Sequence, residues 1–301
     1  TIYGGGSTFT GLTTISAGTL KLGSAGSGSN TPLGTSAGGI TITSGAVFDL
    51  NGFTLATAEP IGSLNGTGIA SIGAFINSSN SSVSYSGAIT LGAASRVANH
   101  GSGTMTVSGN IALTIVAVGN FTQATNSVRS GSSTIIKEGS GILTLSGQNS
   151  FTGAVTVSTG ILRLGASGGA TNTPLGTNAG GVTVSSGAVL DLSTFSLGGA
   201  STYETLNLSG TGISNGGALT FSASTNNNFG AMTVAANTRI INSGSGTVTF
   251  GGTITAANGI TTAIGGTGPI TISGVYGATA TSATITKWDS GTLSINAASI
   301  T

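Results

Sequence analysis

Side-chain catalysis needs titratable groups that a fold can bring together. This chain offers Asp49, Glu59, Glu138, Asp191, Glu204 and Asp289 as its carboxylates and His100 as its one imidazole. Paired carboxylates would serve acid/base hydrolysis, and a carboxylate cluster beside a base would hold calcium for lyase chemistry. The contexts argue against both. Asp49 in GAVFDL and Asp191 in GAVLDL occupy matching positions many strands apart, so each reads as an outward strand residue or a turn cap. His100 faces Ser243 in the matching segment and reads as a surface side chain near Arg96. Lys21 and Arg163 are equivalent, as are Arg96 and Arg239, and each reads as keeping one edge soluble. There is no Asp-rich loop, no Gly-Gly-x-Gly-x-Asp repeat and no cysteine. No catalytic, cofactor-binding or metal-ligating residue is therefore expected.

Hydroxyl groups are the abundant polar chemistry. Segments 41–43, 104–106, 183–185, 247–249 and 284–286 read Thr-x-Thr or Thr-x-Ser. Stacked on a sheet, such residues would make a flat Thr/Ser face able to meet a glycan or an ice surface, although their spacing along the chain is irregular and Thr is also simply a good strand former. Trp288, the single tryptophan, stands where the other copy has Glu138 and reads as a carbohydrate platform, an intermolecular contact or a partly buried anchor.

The elements that must carry these residues are short strands. Leu143-Thr144-Leu145, Val155-Thr156-Val157 and Leu162-Arg163-Leu164 are apolar-polar-apolar triplets separated by Gly, Ser and Asn. Alternation puts the apolar members on one face, and Gly supplies tight corners. The same triplets recur as Ile40-Thr41-Ile42, Phe48-Asp49-Leu50, Met105-Thr106-Val107, Leu206-Asn207-Leu208, Met232-Thr233-Val234 and Ile270-Thr271-Ile272. Evenly spaced short strands allow a sandwich, a barrel or a parallel β-helix. The lack of Asn-Gly hairpin pairs at regular positions, with a long repeat divisible into coil-sized pieces, favours the parallel β-helix, at roughly 20 to 25 residues per coil and so roughly 12 to 15 coils.

Composition narrows the functions. Charged residues make up 4% and hydrophobic ones 38% of the 301 residues, so the many glycines punctuate a packed chain rather than a disordered one. A net charge of +1 provides no electrostatic footprint for nucleic acid. The longest apolar run, IALTIVAV at 111–118, is too short to span a bilayer, and TIYGGGSTFTG at the N-terminus has neither a basic nor an apolar signal region, so any export signal is expected to lie outside this chain or to have been removed. The lack of cysteine suits a secreted bacterial protein.

Self-comparison gives the organisation. FTGLTTISAGTLKL at 9–22 recurs as FTGAVTVSTGILRL at 151–164, and TPLGTSAGGITITSGAVFDL at 31–50 recurs as TPLGTNAGGVTVSSGAVLDL at 173–192. GTGI at 66–69 returns at 210–213, and Lys137 answers to Lys287. The chain thus reads as one copy over 1–141 and a second over 142–301, the latter ending in the start of a third copy, GTLSINAASIT at 291–301. It begins and ends inside a motif, as expected of a piece of a longer repetitive polypeptide or of a unit that joins its neighbours head-to-tail.

KEGSGILTLSGQNSFTGAVTVSTGILRL at 137–164 resembles the autotransporter-associated β-strand repeat, also called the passenger-associated transport repeat, of bacterial surface proteins. Residues 8–22 carry its second part and KWDSGTLSI at 287–295 its first. The resemblance implies an all-β, right-handed parallel β-helix displayed outside a bacterial cell, and it brings no catalytic residue with it. The resulting expectation is a non-catalytic structural segment of a secreted or cell-surface fibre or adhesin, without cofactor. Its partners would be further repeats or other copies, end-to-end or lateral, with surface glycans as a further class. The alternative is a carbohydrate- or ice-binding β-helix using a flat Thr/Ser face.

Overall fold

Alternating apolar and hydroxyl side chains dictate strands, and glycine-rich corners keep them short. The computed structural model describes residues 1–108, 111–112, 115–117, 120–123, 130, 132, 134–197, 204–222, 229–278 and 282–296. Among these, the elements are short β-strands with two single-turn 3₁₀ corners. The chain forms two compact units, Thr1–Gly147 and Gln148–Thr301. Residues 297–301 of the anticipated third copy, and parts of the 111–118 run, lie outside the described residues.

In the first unit, Thr13–Ile15, Ile40–Ile42, Ile61–Gly66, Ile89–Ser95 and Ile111–Ala112 pair in that order, all parallel. A second parallel row stacks Gly18–Lys21, Ala46–Asp49, Phe75–Asn77 and Val97–Asn99. A third joins Val83–Tyr85, Met105–Val107, Phe121–Gln123 and Ile142–Leu145. The second unit repeats the scheme. Val155–Val157, Val182–Val184, Leu206–Gly210, Met232–Asn242, Ile254–Ala256 and Tyr276–Ala278 make one row. Val248–Phe250, Ile270–Ile272 and Leu293–Ile295 make another. Each strand bonds to the strand one coil later, which defines a parallel β-solenoid.

The coils number about 11, fewer than the 12 to 15 expected, because several turns are longer than the expected coil. Thr13 pairs with Ile40 and Val155 with Val182, both across a long turn, whereas Ile40 to Ile61 and Met232 to Ile254 are short ones. The long turns hold what the alternation pattern does not reveal, a small antiparallel hairpin at each TPLG. Asn30–Thr31 pairs with Gly34–Thr35, and Thr173 bridges Gly176. Solenoid turns tolerate such excursions because the added residues leave the stacked strands undisturbed.

Stacking places like on like. The column Val155, Val182, Leu206, Met232, Ile254 and Tyr276 is buried throughout. In the first unit Phe48 stacks on Phe75 at 5.6 Å. Full burial of each such side chain contributes about 1.5–3 kcal/mol before entropy is subtracted. Corners solve the remaining problem of backbone polar groups. The equivalent GTG corners turn at Gly68 and Gly212, both with φ of 75°, and a Cβ there would meet the carbonyl oxygens of Gly73 and Gly217 at 2.1 and 2.0 Å. At another corner buried Asn77 donates to Asn99, to the Ser79 carbonyl and to the Ser81 carbonyl, while its Oδ1 accepts from Gly52. Neutral amides thus cap corners where charges would be costly to bury.

Val157 and Leu143 are fully buried. Val157→Asp or Leu143→Asp is therefore expected to cost on the order of 3 kcal/mol or more by an unpaired interior charge. Thr156→Asp, on the outer face of the same strand, is expected to cost less than about 1 kcal/mol. Urea melts of the three variants check the assignment of faces, and a parent-like midpoint for Val157→Asp would refute it.

Candidate functional surfaces

The acidic residues are distributed by the corners they serve. Asp49 breaks the outward rule for triplet centres: it is buried, and its position just before Asn51, a residue with φ of 50°, makes it a corner cap. Its Oδ1 accepts from the backbone amides of Asn51 at 2.8 Å and Ser78 at 3.0 Å, and its Oδ2 accepts from the Ser78 hydroxyl at 2.7 Å. Lys21 lies 3.6 Å from the same carboxylate. Asp191 repeats the arrangement, accepting from Ser193 at 2.8 Å and pairing with Arg163 at 2.8 Å. The turn-cap reading therefore describes these two residues. Lys21 and Arg163, read from sequence as solubilising charges, instead neutralise the caps one coil away, because strand register sets Lys21 beside Asp49 and Arg163 beside Asp191.

Arg96 and Arg239 likewise have partners. Arg96 reaches Glu138 at 3.4 Å. The equivalent Arg239 lies 3.6 Å from the centroid of Trp288, and its Nη1 donates to the Asn215 carbonyl. One interaction is an ion pair and the other cation–π, at the same place in the two copies. Arg239 occupies a face of the indole and Gly265 packs against it, so Trp288 is a partly buried anchor rather than an open sugar platform. His100 is exposed, and its Nε2 bonds the Ile72 carbonyl at 2.7 Å. Lys137 is buried, and its ammonium donates to the carbonyls of Glu138 and Gly139; burial pushes its pKa down to about 8, against the pull of Glu138. Among the described residues no three His, Asp or Glu side chains gather as a metal-binding group.

Glu59 and Glu204 are the functional-looking residues that spacing did not single out. Both are 1% exposed. Glu59 accepts from the Thr31 hydroxyl at 2.7 Å and Glu204 from the Thr173 hydroxyl at 3.0 Å. Each threonine oxygen in turn accepts the amide two residues on, Leu33 or Leu175. The carboxyls therefore latch the two TPLG hairpins to the following coil. In each latch the second oxygen, Oε2, is buried without a hydrogen-bond partner among the described residues. Tyr85 faces Glu59, its hydroxyl donating to the Glu59 carbonyl. Burial raises both carboxyl pKa values, that of Glu204 to about 7, with the threonine bonds opposing. The available signal was that each glutamate follows a TPLGT segment at a nearly constant distance.

Hydroxyl groups, by contrast, are brought together. In the second unit, Thr156, Thr183, Asn207, Thr233 and Thr255 stand in register on successive strands. In the first, Ser84, Thr106, Thr122 and Thr144 form such a ladder, as do Thr14, Thr41 and Ser63. Their irregular sequence spacing arises from unequal turn lengths, which the register absorbs. Each strand contributes its central residue to a single row. Where the second member of a Thr-x-Thr segment is the strand centre, as Thr106 is, it belongs to the ladder; where it follows the strand, as Thr43 does, it turns to donate to the Ser16 carbonyl.

The geometry defines a β-solenoid whose described aspartates cap corners, whose buried glutamates hold hairpins, and whose strands carry rows of hydroxyl side chains. The family model of the passenger-associated-transport-repeat matches residues 1–22 and 135–164, so the chain carries that repeat in both stretches. Repeat and fold together fit a structural segment of the autotransporter-passenger type, a class of secreted or surface proteins. No curated protein and no solved structure matches the chain. No helix among the described residues is long and apolar enough to cross a membrane. Motif residues have visible duties: Asn149 is buried and donates to the Pro174 carbonyl at 2.6 Å, and Phe151 is buried while its carbonyl accepts from Thr177.

The latches set a pH dependence. A glutamate that titrates near 4.5 in the unfolded chain and near 7 when folded binds its proton more tightly in the folded state. The stability it contributes is fully present below about pH 4.5 and is lost as pH rises through about 7. The stability difference between the parent and the Glu59→Gln/Glu204→Gln variant should therefore shift against the parent across this window. Urea midpoints from pH 4 to 8 measure it, and a difference that stays constant contradicts the latch.

Proposed function

We propose that the chain is a non-catalytic structural segment of a bacterial secreted or cell-surface β-helical fibre or adhesin, with coils continuing head-to-tail. The observation that carries this reading is the state of the outermost coils. Thr13–Ile15 and Gly18–Lys21 each end their sheets. Beside them Phe9 is 46% and Leu12 58% exposed, over a cavity of about 350 Å³ lined by Phe9, Ile15, Leu20 and Leu33. The equivalent Phe151 is 1% exposed. Leu293–Ile295 ends its row in the other unit with Ile295 39% exposed. Sequence supplies the complement, since 287–295 carries the first part of the motif whose second part begins near Phe9.

A sheet edge with unpaired amides and carbonyls is a template for another strand. Continuation, into further repeats or into a second copy, satisfies those groups and covers Phe9 and Leu12. The role is then mechanical. Stacked coils extend a chain with few residues per unit length, and a surface nearly free of charge allows lateral packing without repulsion.

End-to-end association of the 301-residue chain is expected in sedimentation velocity as a concentration-dependent rise in size. Phe9→Glu/Leu12→Glu should hold the protein as a monomer while leaving its melting profile close to that of the parent. A parent that stays monodisperse and monomeric at high concentration would rule out association through these edges.

A further inference from the structure

We infer that the second unit carries a binding groove for an uncharged, hydroxyl-rich chain, a neutral polysaccharide segment, centred on Asn207. The inference stands apart from the passenger reading. A depression of about 250 Å³ lies on the outer face of the Thr156–Thr255 ladder, lined by Gly180, Gly181, Thr183, Thr205, Asn207 and Thr233 among others. Its floor depends on two glycines. A Cβ on Gly180 would meet the Gly153 carbonyl oxygen at 2.2 Å, and one on Gly181, at φ 65°, would meet the Thr205 hydroxyl at 2.5 Å.

Comparison of the two copies shows that this surface is not a by-product of the repeat. The first unit has the same two glycines, Gly38 and Gly39, but Pro60 stands in place of Thr205, and a Cβ on Gly39 would crowd its carbonyl oxygen at 3.0 Å and its ring at 3.2 Å. Where the second unit has Leu206-Asn207-Leu208 in even register, the first has Ile61-Gly62-Ser63-Leu64 with a bulge. Ser63 is moreover engaged by the Asn65 amide, which also donates to the Ile42 carbonyl. The second copy therefore differs from the first in the residues that shape the groove: a proline gives way to a hydroxyl, and a bulge gives way to an outward amide.

The lining chemistry selects the ligand class. Three threonine hydroxyls and one amide point outward, and Thr183, Thr205, Asn207 and Thr233 make no side-chain hydrogen bond within the chain among the described residues. A hydroxyl donates and accepts, and an amide does both at once, so the row complements a ligand with dense mixed donors and acceptors. None of these residues is charged or aromatic. Uronate and phosphate polymers find no counter-charge, and ring stacking is absent, so recognition rests on hydrogen bonds and modest affinity follows. Rungs repeat about every 4.8 Å along the ladder, and the volume falls below the roughly 300–1,000 Å³ of a closed small-molecule pocket. The site therefore suits one or two rings of a chain lying along the ladder. The amide and the concavity also interrupt the flat threonine array that an ice lattice would need.

Affinity electrophoresis of the full chain through gels containing laminarin, dextran or galactomannan tests the assignment, with alginate as the charged control. Retardation by at least one neutral glycan and not by alginate is expected. Asn207→Ala and Thr233→Val should each weaken it at least 5-fold, and Thr205→Pro, which restores the first copy's residue, should abolish it. Thr41→Val in the first unit should leave it unchanged. Because the lining faces solvent, the variants should melt with the parent, and the comparison uses those that do. No retardation by any of the three glycans overturns the proposal. So does equal retardation of the parent and the groove variants, retardation by alginate alone, or thermal hysteresis without glycan binding.

Discussion

Parallel stacking in register is the constraint on which everything else in this protein depends. Each strand bonds to the strand one coil later, so whatever a coil places inside must fit directly on the same position of the coil before. Val155 on Val182 on Leu206, or Phe48 on Phe75, satisfies this with dispersion and burial alone. Charges do not, since like groups would meet every few ångströms. The scarcity of Asp, Glu, Lys and Arg follows, and two of the carboxylates that remain cap corners with a cation one coil away, Asp49 with Lys21 and Asp191 with Arg163. Where a corner needs a buried polar cap without a counter-ion, an asparagine such as Asn77 or Asn99 supplies it.

How much of this was legible in the sequence depends on whether a feature repeats locally or only in space. The inward face of each strand follows from alternation, and the copy-to-copy equivalences follow from self-comparison. Asp49 misleads because a triplet centre ordinarily points outward; here the next residues turn through a left-handed corner and bring the carboxylate under the backbone. Thr41 and Thr183 look irregularly spaced because turns of unequal length separate them from their neighbours, yet register returns each to a row within its own unit. The TPLG hairpins were hidden for the opposite reason: they sit in loops that the stacking does not constrain. Glu59 and Glu204 stayed inconspicuous because nothing adjacent in sequence announces a hydroxyl partner about 30 residues away.

Duplication also separates what the scaffold requires from what one copy alone has acquired. The hairpin latches, the corner caps and the arginine contacts occur in both units, although Arg96 uses a carboxylate where Arg239 uses an indole. Such repetition marks structural need. The groove at Asn207 has no such counterpart in its residues, because the first copy places Pro60 and a bulge there. A solenoid thus supplies within each unit an exterior on which local departures from the repeat can acquire a binding role without disturbing the core.

The solenoid register itself is the central claim, and the absence of cysteine makes it directly measurable. Spin labels at Thr156→Cys and Thr255→Cys occupy outward positions on one ladder, separated by four steps through Thr183, Asn207 and Thr233. Four strand spacings amount to about 19 Å, although the two sites lie 99 residues apart in the chain. Dipolar electron-spin spectroscopy should therefore find one narrow distribution centred near 20 Å after allowance for the label arms. A broad distribution, or a centre beyond about 35 Å, would contradict the parallel in-register solenoid.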